Sequence, residues 1–119
     1  MTEVDSTREV LLRSLYEAFN SRDVDTALAA MTPDVDWANG WEGGSVSGRE
    51  AVRDYWRRQW AEIDSSAVPT AIEERPDGRV EVTVRLLARD KAGTVVNDST
   101  GRHVYDFRGD LIERMTIED

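Results

Sequence analysis

The chain contains no cysteine, a single histidine and only three prolines among its 119 residues. Without cysteine it has no disulfide, no thiolate zinc ligand and no thiol nucleophile, and it suits a reducing cytoplasm, where it is expected to reside. One histidine rules out a histidine pair on a metal, and no segment has the spacing of a calcium loop, so neither metal nor cofactor is expected. Long apolar runs are missing too. None approaches the length that crosses a bilayer, and the opening Met1-Thr-Glu-Val-Asp-Ser-Thr-Arg8 is polar and acidic, unlike a signal peptide, so no membrane partner is expected. Positive charge is outnumbered, with 15 Lys and Arg against 24 Asp and Glu and a formal net charge of −9. Like charge repels a phosphate backbone and no counterion release would drive association, which excludes nucleic acid as an expected partner. Arg49, Arg53, Arg57 and Arg58 make one helix locally basic. Glu50 and Asp54 are interleaved there, as on a solvated face.

What the chain has in concentration is tryptophan: all four, Trp37, Trp41, Trp56 and Trp60, fall in one stretch. A chain of this length forms one domain, residues 1–119, and removes roughly two-thirds of its unfolded surface from water. Leu, Ile and Val usually fill such a core. Clustered indole rings beside an Asn in a Gly-rich loop point instead to a concave ligand site.

Ser6-Thr-Arg-Glu9 has capping-box spacing and predicts a helix running to about Asn20, with Leu11, Leu12, Leu15, Ala18 and Phe19 on its inner stripe. Asn20-Ser21-Arg22-Asp23 breaks it. A second short helix is predicted from Val24 to Met31, with Leu28 and Met31 inward, stopped by Pro33 acting on Thr32. Asp34-Val-Asp-Trp-Ala-Asn39 alternates with period two, placing Val35, Trp37 and Asn39 on one strand face. Gly40, Gly43, Gly44 and Gly48 make a loop in which Trp41 is a candidate lid. Ser47-Gly-Arg-Glu50 is a second capping box, opening a helix with Val52, Tyr55, Trp56, Gln59, Trp60 and Ile63 inward. The remainder is β-rich, with strands around 67–74, 79–89, 94–107 and 111–118. Pro76-Asp77-Gly78, Asp90-Lys-Ala-Gly93 and Arg108-Gly109-Asp110 are the turns between them. Helices segregated from consecutive strands predict an α+β domain: a cone-shaped roll of three N-terminal helices packed on a curved, mainly antiparallel sheet, with a hollow between.

This order, with Leu15-Tyr-Glu-Ala-Phe-Asn-Ser-Arg-Asp23-Val24, Asp36-Trp37-Ala-Asn39, Gly48-Arg-Glu-Ala-Val-Arg-Asp-Tyr-Trp56 and Arg102-His103-Val-Tyr105, resembles the nuclear transport factor 2-like superfamily, and within it the SnoaL-like and ketosteroid isomerase-like members. In ketosteroid isomerases a strand Asp moves the proton, and a helix Tyr with a protonated Asp holds the oxyanion. Asn39, Leu15 and His103 stand at those places here, so the resemblance does not carry the base or the tyrosine over. Tyr16 is one residue from the tyrosine position. One residue is about 100° around a helix, so its hydroxyl is expected to turn away. SnoaL-type aldol cyclases are similar at Asn39 and His103, whereas the position of their last-strand carboxylate holds Thr116 or Ile117.

The resemblance implies a cofactor-free pocket protein, an isomerase, cyclase or dehydratase acting by proton transfer on a small apolar carbonyl or polyketide-like compound. The alternative it leaves is a non-catalytic ligand-binding or dimerisation domain. His103 is the candidate acid and base, being the one side chain that ordinarily titrates near neutrality. Asn39 is the candidate dipole on a substrate carbonyl, or else a turn residue before Gly40. Leu15, Phe19, Met31, Trp37, Trp56, Trp60, Arg85, Tyr105 and Met115 are the candidate contacts to a small hydrophobic ligand. The face of Arg85 stays open, because a one-residue slip at the Asp90–Gly93 turn exchanges both faces of the strand. Facing inward it would suit an anionic ligand; facing outward, a dimer contact or solvent. Val80, Val82, Val84, Val104 and Ile112 exceed what one core face uses, so a homodimer through the outer sheet face is expected. Gly44-Ser-Val-Ser-Gly48 has Val where a nucleophile elbow needs its Ser, which excludes that motif.

Overall fold

Leu12, Leu15, Tyr16 and Phe19 recur at the i, i+3, i+4, i+7 spacing that puts side chains on one face of a helix, and in the computed structural model that stripe turns the first helix onto a sheet. The structure describes residues 6–118. It runs α1 (Ser6–Ser21), α2 (Val24–Ala29), β1 (Met31–Ala38), β2 (Ser45–Ser47), α3 (Arg49–Glu62), β3 (Asp64–Glu74), β4 (Val80–Arg89), β5 (Val95–Arg108) and β6 (Leu111–Glu118). After α1, Arg22 takes a left-handed conformation at φ 66°, and Asp23 caps α2 by accepting from the Thr26 amide. The two helices therefore form the expected hairpin.

α2 stops two residues before Met31, because the sheet claims that part of the chain. The Ile112 amide donates to Ala30 O at 2.9 Å, and Met31 pairs with Ile112 as the first residue of β1. Pro33 thus lies inside a strand, where the register with β6 shifts between Met31 and Asp36 and its missing N–H costs no ladder bond. The second capping box also differs from expectation. Ser47 belongs to β2 and pairs with Asp36, while Gly48, at φ 90°, is the N-cap of α3 without a side-chain cap bond. Its amide is already donated to Val35 O at 2.7 Å, so the chain enters α3 directly from the sheet edge.

The strands form one six-stranded sheet in the order β2-β1-β6-β5-β4-β3. β1 and β6 are parallel and the other neighbours antiparallel. Val80 stands opposite Tyr105, Val82 opposite His103 and Val84 opposite Gly101, so these residues share the inner face. Val80, Val82, Val84 and Ile112 are fully buried in one core with Leu12, Val35, Val52 and Tyr105. Each such aliphatic side chain contributes about 1.5–3 kcal/mol by leaving water.

The outer face is mixed, with Val68 opposite Arg85 and half exposed among polar residues. It carries Glu81, Thr83 and Arg85 on β4 and Arg102 and Thr100 on β5, and Arg75 spans it with 2.6 Å bonds to both Glu81 and Glu118. This corrects the ground for the expected homodimer. Of the five residues invoked, Val104 alone lies on that face by its pairing with Glu81, and it is fully buried already. No helix among the described residues is long and apolar enough to cross a membrane.

Candidate active site in the aromatic cavity

Curvature of the sheet under α1 and α3 leaves a cavity of about 680 Å³. α1 contributes Leu15, Tyr16 and Phe19 to its wall, α3 contributes Tyr55, Trp56 and Gln59, and the sheet contributes Trp37, Leu86, His103, Tyr105 and Met115. The rings brace one another edge to face: Phe19 to Trp56 at 5.2 Å, Trp37 to Trp56 at 5.7 Å and Trp37 to Tyr105 at 6.0 Å between centroids. Such contacts add about 0.5–1.5 kcal/mol each beyond the area they bury. At the mouth stand Trp41, 40% exposed, together with Val96 and Ile117. A Cβ on Gly40 would lie 2.9 Å from Ile117 Cδ1, so a larger residue there would push the exposed Ile117 side chain aside at the mouth.

His103 hangs inward from β5 and meets Tyr16. The Tyr16 hydroxyl lies 2.8 Å from His103 Nδ1 and 2.6 Å from the Tyr105 hydroxyl. Tyr16 therefore faces the cavity, contrary to the expectation that it turns away. The stripe of α1 is wide enough to hold adjacent residues, so Leu15 and Tyr16 both reach the wall, and Leu12 four residues earlier was the signal in the sequence.

Counting protons orders this chain of groups. If Tyr105 donates to Tyr16 and Tyr16 donates to Nδ1, both buried hydroxyl protons have acceptors and the imidazole carries its proton on Nε2. The opposite direction strands the fully buried Tyr105 O–H without a partner, at a cost of about 1–3 kcal/mol. The first arrangement is the stable one. Nε2 has no partner among the described residues, and His103 lines the cavity, so Nε2–H is the donor a bound molecule can use.

Burial holds this network neutral. His103 is pushed down to about 4 by desolvation, and burial raises both Tyr16 and Tyr105 above the ordinary phenol range. The reading of His103 as an acid and base poised at neutrality is thereby corrected: at pH 7 it is an uncharged donor.

Four other candidates stand elsewhere. Asn39 is buried but turned into the mouth loop, where its Oδ1 accepts from the amides of Trp41 and Glu42 at 3.1 and 2.7 Å and its Nδ2 donates to Glu42 at 3.0 Å. Glu42 in turn accepts from Arg58. Asn39 is thus bonded into the turn on both side-chain atoms and stands outside the cavity lining. Asn39→Ala is expected to cost about 1–2 kcal/mol by leaving these loop groups unpaired, read by urea unfolding, and to red-shift the Trp41 emission. Met31 is fully buried in the core beneath the wall, its carbonyl taken by Arg49 Nε at 3.0 Å. Trp60 backs the wall from behind, tilted against Phe19 at 5.2 Å between centroids and under the Arg22 guanidinium at 4.7 Å. Arg85 points outward, its side chain 61% exposed and paired with Asp98 at 3.1 Å.

Among the described residues the last strand offers no carboxylate to the cavity, and Asp119 lies outside them. Ile117, opposite His103, faces in, and Glu118 faces out to Arg75. Among the described residues no cluster of three or more His, Asp or Glu is placed to hold a metal ion.

The sequence identifies the family to which this fold belongs: the chain is a member of the SnoaL-like domain family, whose model matches residues 12–115. Solved structures share the fold. A candidate polyketide cyclase from Xanthomonas campestris pv. campestris superposes with a TM-score of 0.81 at 23% identity over 93% of this chain and 88% of that one. TerC, co-crystallised with polyporic acid, gives 0.83 at 22% identity over 95% and 91%. RV0760c from Mycobacterium tuberculosis, in complex with estradiol-17beta-hemisuccinate, gives 0.81 at 17% identity over 97% and 95%. No curated protein matches the sequence.

Proposed function

We propose that the chain is a small-molecule pocket protein that takes a compact, largely apolar carbonyl or polyketide-like compound and holds its oxygen on His103 Nε2–H. The Tyr105–Tyr16–His103 chain carries this reading, since it consumes Nδ1 and leaves Nε2–H to the cavity. The aromatic walls supply apolar area, and the fold neighbours TerC and RV0760c hold small molecules of their own.

The chemistry this favours is cofactor-free enolisation, as used in isomerisation, cyclisation and dehydration. A fixed neutral donor in a water-poor site is worth more to a developing enolate oxygen than to the ground-state carbonyl, and removing one such donor typically costs 10²–10³-fold in rate. Among the described lining residues the carboxylate is Asp90 at the end of β4, whose Oδ1 is held by the Ala92 and Thr94 amides, so proton abstraction beside His103 falls to bound water or to a basic group of the substrate. The same feature favours a second reading, ligand binding without turnover.

Exchange of the α-protons of β-tetralone in deuterium oxide separates the two. The catalytic reading expects accelerated exchange, falling about 100-fold in His103→Phe. Binding without acceleration, seen as shifted ligand resonances, selects the second reading, and absence of binding contradicts both.

A further inference from the structure

The cavity wall contains neither lysine nor arginine, although the chain has 15 such residues. Cations on the surrounding elements are engaged elsewhere: Arg58 with Glu42, Arg22 with Asp64, and Lys91 with the Trp60 carbonyl. Arg85, the residue that could have served an anion, lies on the other face of the sheet with Asp98. The carboxylate in the wall is Asp90, at the end of β4. Its Oδ1 accepts from the amides of Ala92 and Thr94 at 2.9 and 3.0 Å. The outer wall otherwise adds uncharged polar groups, namely Gln59, Ser66, Asn97 and Ser99.

Resting on the pocket reading above, we propose that this cavity selects uncharged ligands and rejects carboxylate- or sulfonate-bearing ones of the same shape. An anion entering it gives up hydration to a wall of indole, phenol and aliphatic groups, with hydrogen-bond donors but no counter-charge. On its way in it passes Asp90, in the field of a chain with a net charge of −9, and a low-dielectric cleft focuses such a field. A neutral carbonyl compound meets neither penalty. Its oxygen takes His103 Nε2–H, and hydroxyl groups at its trailing end find Ser99, Asn97 and Gln59.

Two fluorescent probes with the same ring system test this: N-phenylnaphthylamine, which is neutral, and anilinonaphthalene sulfonate, which carries the anion. Wild-type protein is expected to bind the neutral probe about tenfold or more tightly than the sulfonate. Asn97→Arg, which places a cation at the exposed part of the wall, is expected to close that gap by strengthening the sulfonate alone. Ser99→Trp, which fills the cavity from an exposed position, is expected to remove both signals. Equal or tighter binding of the sulfonate by wild type, still abolished in Ser99→Trp, overturns charge selection and leaves the pocket reading standing. Binding of the neutral probe that ignores Ser99→Trp, or no binding at all, overturns the pocket reading and charge selection with it.

Discussion

Replacing Trp56 by alanine is expected to lower the stability of the folded chain by about 3–5 kcal/mol, the range for an aromatic lost from a core. The ring is 3% exposed and touches three others, Phe19, Trp37 and Trp60, at 5.2, 5.7 and 5.8 Å. Those neighbours sit on α1, β1 and α3, so they cannot collapse together into the gap. The lost volume would merge with the existing cavity and weaken binding of any apolar ligand at the same time. Guanidinium unfolding measures the first effect. A loss below about 1 kcal/mol would place the ring outside the core.

Acidification is expected to cost the wild-type chain about 3 kcal/mol more than it costs His103→Gln. The folded-state value for His103, about 4, lies below its ordinary 6.5, so the unfolded chain takes up the proton first as pH falls. Stability supplied by the neutral ring is therefore fully present above pH 6.5. It declines by about 1.4 kcal/mol per pH unit between the two values and levels off below the folded one. The carboxylates titrate in both proteins and cancel in the difference. Urea unfolding from pH 7 to pH 4 reads it, and parallel pH profiles for the two chains would show that His103 is solvated rather than buried.

Much of the fold is written in local patterns. Glycine-bearing turns at Pro76–Gly78, Asp90–Gly93 and Arg108–Asp110 divide the meander where the structure does, and the period-two run from Asp34 places Val35, Trp37 and Asn39 on the buried face. The failures arise where tertiary partners outbid a local signal. Met31 has helical spacing from Leu28 yet is drawn into β1 by Ile112, and Ser47 has capping-box spacing yet pairs with Asp36.

The site was legible in residue types more than in geometry. His103, Trp37, Trp56 and Tyr105 were readable because large rings at inward positions have few other places to go. The strand register that decides the face of Arg85 depends on a turn whose length the sequence left open. Asn39 carried two meanings at once, dipole or turn, and only its bonds to Trp41 and Glu42 choose between them. Tyr16 escapes the family resemblance, which points to the neighbouring position 15, although its own spacing from Leu12 puts it on the inner stripe. Burial also reverses the chemistry assigned to His103, since the sequence gives its ordinary titration range but not the desolvation that lowers it.

Because the chain has one histidine, nitrogen-15 NMR of the imidazole reads its tautomer and charge without assignment work. A neutral ring with the proton on Nε2 and an unprotonated Nδ1 at pH 7, holding that state until the pH falls to about 5, is the expected result. A proton on Nδ1, or a ring that titrates near its ordinary value, would contradict a donor held toward the cavity by Tyr16 and Tyr105.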